Sequence, residues 1–224
     1  MKLKQLKTNW DNLLQSLKVD LLLGELIFND LATAYSNSTR YYHNLQHIEQ
    51  LLTVANLMKD EAKNFSVIEL AIWFHDVIYD SQAQDNEVKS AAYAEQVLTS
   101  LEIDNCMIQS VKQLILKTQF HQTNLEDYDS QIFLDVDLSI LGASQTEYQI
   151  YSQAIRQEYS WLSQASYYVG RIKVLESFLA RSRIYYTEYL FNRLESQARF
   201  NLQQELQQLK FVFRKNIFNT YKIM

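Results

Sequence analysis

The chain has four histidines, His43, His47, His75 and His121. Each falls on an apolar helical face or beside another residue type that ligates metal. His75 is followed directly by Asp76, and from Leu70 to Ile78 these two are the only residues that are not apolar. A helix that is apolar all round is a buried helix. An ionisable group buried there needs an ion-pair partner, hydrogen bonds or a metal, because burying it alone is costly. For an isolated His-Asp dipeptide, helix capping or pairing with a cation is the simpler account. The other histidines shift the balance towards a metal.

His43 and His47 are four residues apart, which in a helix places them one turn apart on one face. That face continues through Leu51, Ala55 and Met58, so His47 is expected to point inward. Two histidines at this spacing can chelate one metal, as in H-E-x-x-H proteases. Asn44 stands where that chemistry needs a glutamate, which argues against a metalloprotease. His121 extends a second inward stripe through Met107, Val111, Leu114 and Thr118. Asp135 and Asp137 lie within another apolar run, Ile132 to Gly142. In a helix they point in roughly opposite directions and one of them can reach a site; in an extended segment they share a face. The residues themselves leave that choice open.

The elements that must position these side chains are helices. Proline is absent and there are three glycines, Gly24, Gly142 and Gly170. The turn chemistry that sheets require is therefore missing, while apolar residues recur at three- and four-residue spacing. The pattern predicts an all-α protein with helices near 2–17, 20–36, 44–62, 66–79, 86–101, 104–120, 130–141, 145–163, 166–183 and 186–210. Ser66 with Glu69 reads as a capping box, closed by a Phe65–Leu70 staple, and Ser144 with Glu147 reads as a second box. Asp85 is an expected N-cap and Gly142 an expected helix stop. Without a linker or repeat, one domain over 1–224 is expected, ending in a basic stretch, 211–224. Lys210, Arg214, Lys215 and Lys222 fall within the last stretch, Lys210 to Met224, without an acid and suit a solvated tail or a helix lying on the domain.

Composition narrows the function classes. A lone cysteine, Cys106, excludes a disulfide framework and favours a reducing compartment. The opening residues Met1 to Lys7 lack the apolar segment of a signal peptide, and no apolar run approaches the ~20 residues of a membrane span. A cytoplasmic protein is expected. A net charge of −5 argues against a nucleic-acid binder. It also means that an anionic substrate needs local help from a metal or from clustered Arg and Lys.

Taken together, a His, then an adjacent His-Asp, then a distant Asp resembles the HD-domain superfamily of metal-dependent phosphohydrolases, most closely a small uncharacterised family of predicted HD phosphohydrolases. The resemblance spans about residues 20–210 and rests on Arg40-Tyr41-Tyr42-His43-Asn44, Phe74-His75-Asp76, Asp85-Asn86-Glu87, Leu134 to Leu138 with Ile140-Leu141-Gly142, Ile155 to Tyr159, and Gly170-Arg171. It implies a single helical bundle of the HD type. It implies a divalent metal (Mn, Fe, Co, Ni, Zn or Mg) on His47, His75, Asp76 and Asp137, with positions left for water and a phosphoryl oxygen. It further implies catalytic roles for His43, Asp76 and His121, with His43 resembling the proton donor of cyclic-nucleotide phosphodiesterases. Arg40, Lys117, Arg156 and Arg171 are the cations to set beside the phosphate. The implied partner is a small phosphorylated substrate such as a nucleotide, with neither nucleic acid nor membrane; homo-oligomerisation and a second metal stay open. Two alternatives are a non-catalytic HD-fold sensor of nucleotide or metal, and a di-iron oxygenase.

Overall fold

A chain rich in Leu, Gln, Glu, Lys and Ala and free of proline can extend helices without interruption. The computed structural model describes residues 2–221, with side chains for 3–213, and holds ten α-helices and no strand among them. The chain forms two compact helical units, Met1–Asp137 and Leu138–Met224.

The first unit contains α1 (Lys2–Ser16), α2 (Leu21–Tyr35), α3 (Leu45–Asn56), α4 (Phe65–Phe74), α5 (Asn86–Ser100), α6 (Asn105–Lys117) and α7 (Tyr128–Asp137), with a 3₁₀ turn at Lys59–Glu61. Its centre is α4, where Val67, Ile68 and every residue from Leu70 to Phe74 are buried. Helices α3, α5, α6 and α7 all pack on it. Trp73 meets Trp10 edge-on at 5.4 Å and Phe28 at 6.0 Å, an arrangement that aligns ring edges with ring faces.

The starts and stops of these helices differ from the sequence pattern in ways that matter for the site. Helix α4 is capped by Asn64, whose Oδ1 accepts from Val67 N, rather than by Ser66. Asn64 has the non-helical backbone that a cap needs, and Ser66 already lies within the first turn. The helix also stops at Phe74, well before 79, so His75 and Asp76 form the turn that leaves it. Asn44 caps α3 by accepting from Gln46 N, and this leaves His43 outside the helix. His43 and His47 therefore do not share a helical face. At α6 the helix ends at Lys117, and His121 adopts a left-handed backbone, φ 48°. Asp85 occupies the N-cap position of α5 but makes no capping bond, its carboxylate reaching Lys89 at 2.9 Å instead.

The second unit has a 3₁₀ turn at Leu138–Gly142, then α8 (Gln145–Glu158), α9 (Gln164–Leu179) and α10 (Glu188–Tyr221). Ser144 and Glu147 form both halves of a capping box. Gly142 is required by close approach: a Cβ there would lie 2.5 Å from Leu194 Cβ and 2.9 Å from Leu194 O. Between α9 and α10, the buried Arg171 guanidinium grips Glu205 through Nε and Nη2 at 2.8 and 2.9 Å. Tyr148 and Ser152 donate to the same carboxylate. The α10 backbone runs through the basic stretch to Tyr221. The side chains of Arg214 and Lys215, and the whole of Lys222, lie outside the described residues.

Candidate metal centre

His75 follows the last residue of α4 and keeps a helical backbone, so its ring folds back beneath the helix end. Its Nδ1 lies 2.9 Å from the carbonyl of Ile72, and since a carbonyl can only accept, Nδ1 carries the proton. Nε2 is thereby turned towards the interior. This is the arrangement by which a backbone carbonyl fixes the tautomer of a metal-ligating histidine.

Three elements that touch one another, α3, α4 and α7, bring the remaining groups to that nitrogen. His47, the third residue of α3, points inward as its stripe predicts and places Nε2 3.2 Å from His75 Nε2. Asp137 closes α7 with Oδ1 3.5 Å from His47 Nε2 and 3.6 Å from His75 Nε2. The ligand atoms of His47, His75 and Asp137 all lie within 4.8 Å of one another, so the three could hold a metal ion. Asp135 is fully buried but is not one of the three. In helical α7 it is Asp137 that falls in the group that could hold an ion.

Asp76, expected as a fourth ligand, sets Oδ2 3.0 Å from His75 Nε2 and 3.9 Å from His47 Nε2. His43 stands at the rim, with Nε2 4.0 Å from Asp76 Oδ2. Its ring stacks on Tyr79 at 4.3 Å and meets Tyr42 edge-on at 5.0 Å. His121 reaches the same centre from the end of α6, its Nε2 2.8 Å from Asp137 Oδ2.

The four expected phosphate cations are all engaged within the protein. Arg40 is buried between the rings of Tyr35 and Tyr79 and donates to the carbonyls of His43, Asp76 and Val77 at 3.2, 2.6 and 2.8 Å. It ties the His43 segment to the turn that carries Asp76. Lys117 binds Asp127 and, at 2.7 Å, Ser130. Arg156 and Arg171 belong to the second unit. Arg156 donates to the carbonyls of Tyr159 and Leu162, and Arg171 to Glu205. Sequence reading missed Tyr35, whose hydroxyl donates to the Trp73 carbonyl at the end of α4. That bond joins residues far apart in the chain and leaves no local signal.

Charge in the cluster is set by competition between burial and the two carboxylates. Burial lowers the pKa of His47, and the nearby Asp137 does not recover it. Burial also acts on His75, but Asp76 and Asp137 outweigh it and raise this imidazole well above its ordinary value. Burial opposes ionisation of Asp76, yet His75 and His43 hold it below the usual carboxylate range. Asp137 is likewise held well below that range, in spite of burial, by hydrogen bonds from His121, His47 and His75. Without metal, then, two carboxylates surround one neutral and one protonated imidazole. The two Nε2 atoms, 3.2 Å apart, are at hydrogen-bond distance, so that without metal the proton on His75 bridges to His47. The fit to a divalent ion is good: two neutral-capable nitrogens and at least one carboxylate, a donor set that suits Mn, Fe, Co, Ni or Zn.

No helix among the described residues is long and apolar enough to cross a membrane. No protein-family model, curated protein or solved structure matches this chain.

Proposed function

We propose that this protein is a metal-dependent phosphohydrolase acting on a small phosphate ester such as a nucleotide. The observation that carries the reading is the buried convergence of His47, His75 and Asp137 from three helices, together with the adjacent Asp76. A divalent metal, when bound, supplies Lewis acidity towards a phosphoryl oxygen and acidifies a water molecule. His47 and His75 would hold it through Nε2 and Asp137 through Oδ1, and Asp76 stands within reach as a further ligand. His43 is the group placed to hold a proton for the leaving oxygen, at Nε2. It lies at the rim, is partly open to solvent and is oriented by stacking on Tyr79. General acids of this kind contribute ~10²–10⁴-fold to rate. Arg40 fixes the two loops that carry His43 and Asp76, and its contribution is to their geometry.

The test is metal analysis of the purified protein together with a phosphate-ester panel in Mn, Co, Ni and Mg. His75→Ala or Asp76→Ala should abolish metal content and turnover together, and normal turnover in either variant sinks the proposal. A second reading, a nucleotide or metal sensor, is favoured by one observation: Arg40 and Lys117, the expected phosphate cations of this unit, are committed to protein groups. Tight nucleotide binding without turnover across the panel would select it.

A further inference from the structure

Asp137 uses its two oxygens differently. Oδ1 faces the imidazoles of His47 and His75, and Oδ2 is held by His121 Nε2 at 2.8 Å. We infer that His121 is a positioning residue: it donates to Asp137 Oδ2 and fixes the carboxylate with Oδ1 presented to the metal. This rests on the metal reading above and gives His121 a role other than the catalytic one that the resemblance implies.

The local backbone explains how the ring arrives there. After Lys117 the helix turns off, and His121 N returns to the Lys117 carbonyl at 2.9 Å, which closes the end of α6 in the left-handed region. Lys18 and Glu102 also adopt positive φ, so that conformation marks a helix stop in a chain poor in glycine. What separates His121 from those two is where its side chain ends. Lys18 and Glu102 are surface residues, whereas His121 meets the part-buried carboxylate of Asp137. This region favours glycine and tolerates asparagine better than most side chains. Only a side chain with a donor as distant as Nε2 could also reach Asp137.

A carboxylate with one oxygen fixed cannot swing away from the metal or chelate it through both oxygens. Outer partners of this kind are typically worth ~10–100-fold in metal affinity.

The experiment compares wild type with His121→Asn, which suits the left-handed backbone but is too short, and with His121→Gln, whose amide nitrogen mimics Nε2. Affinity for Co(II) and Mn(II) is measured by chelator competition, the visible spectrum of the Co(II)-saturated protein is recorded, and the melting temperature is taken without metal. The expected result is a ~10–100-fold weaker Kd in His121→Asn, recovered to within about threefold of wild type in His121→Gln. The saturated Co(II) spectrum of His121→Gln should stay as in wild type, and the metal-free melting temperature of His121→Asn should not fall below that of wild type. Unchanged affinity in His121→Asn overturns the inference. A changed Co(II) spectrum in His121→Gln also overturns it, by making His121 a ligand, and a lowered metal-free melting temperature in His121→Asn overturns it in favour of a purely structural role. If wild type binds neither ion, the metal reading itself falls.

Discussion

Metal binding to this cluster should release one proton from the protein near neutral pH, and His75 should be its source. Of the three groups that converge, burial leaves His47 neutral and Asp137 is already ionised. His75 alone is held protonated, well above the ordinary imidazole value, because Asp76 and Asp137 outweigh its burial. Its Nδ1 proton is kept by the Ile72 carbonyl, so the proton displaced is the one on Nε2. Between the unfolded value near 6.5 and the raised folded value, apparent affinity should therefore tighten about tenfold per pH unit, or ~1.4 kcal/mol per unit. The metal-free protein should show the opposite slope. A raised folded pKa gives stability that is fully present below about 6.5 and is lost as pH rises through the folded value. The assay is titration calorimetry with Mn(II) at pH 6.5–7.5 in buffers of different ionisation enthalpy, which counts protons directly, alongside melting temperatures with chelator and with excess metal. At a metal concentration of 100 times Kd the stabilisation should be ~2.7 kcal/mol, and the gap between the two melting curves should widen with pH. A proton count near zero or near two would refute this account of the cluster's charge, as would metal stabilisation that weakens with rising pH.

Three further outcomes follow from packing. Arg40→Lys keeps the charge but cannot serve three carbonyls and two rings at once. It should cost ~1–3 kcal/mol of stability and weaken metal binding, as read by thermal melts and chelator competition. Arg171→Met leaves the buried Glu205 carboxylate without its ion-pair partner and should cost ~3–5 kcal/mol in chemical denaturation, whereas Arg171→Met with Glu205→Leu should recover most of that loss. Gly142→Ala drives a Cβ against the Leu194 backbone and should destabilise by ~1–3 kcal/mol, while Gly170→Ala, with nothing within 4 Å of the new Cβ in α9, should stabilise by ~0.5–1 kcal/mol.

The all-α architecture was legible because periodicity and the lack of proline act locally, and helix positions followed from them closely. The inward direction of His47 and the burial around His75 and Asp137 were legible for the same reason: each lies in an apolar stripe that one helix must bury. Helix ends were less so. Asn64 outcompetes Ser66, and Asn44 outcompetes an extra turn through His43, because each asparagine offers a side-chain acceptor to an orphan amide, and sequence spacing alone does not rank such competitors. The cations misled for a different reason. Arg40 and Arg171 looked available for phosphate, yet each is buried and taken up by groups distant in sequence, Asp76 and Val77 for one and Glu205 for the other. Partners of that kind are products of tertiary structure.

The position of His75 couples two demands that are usually met by separate residues. Its Nδ1 satisfies the carbonyl of Ile72 at the buried end of α4, while Nε2 serves the cluster. A cysteine or carboxylate could offer a ligand atom there but would leave the Ile72 carbonyl bare. A lysine or asparagine could satisfy the carbonyl but would offer the cluster no imidazole nitrogen. Imidazole alone carries a donor on one edge and an acceptor on the opposite edge of a rigid ring. Redesign of this centre for another metal is therefore more open at Asp76 and Asp137 than at His75, where a change of ligand also strips the Ile72 carbonyl of its partner.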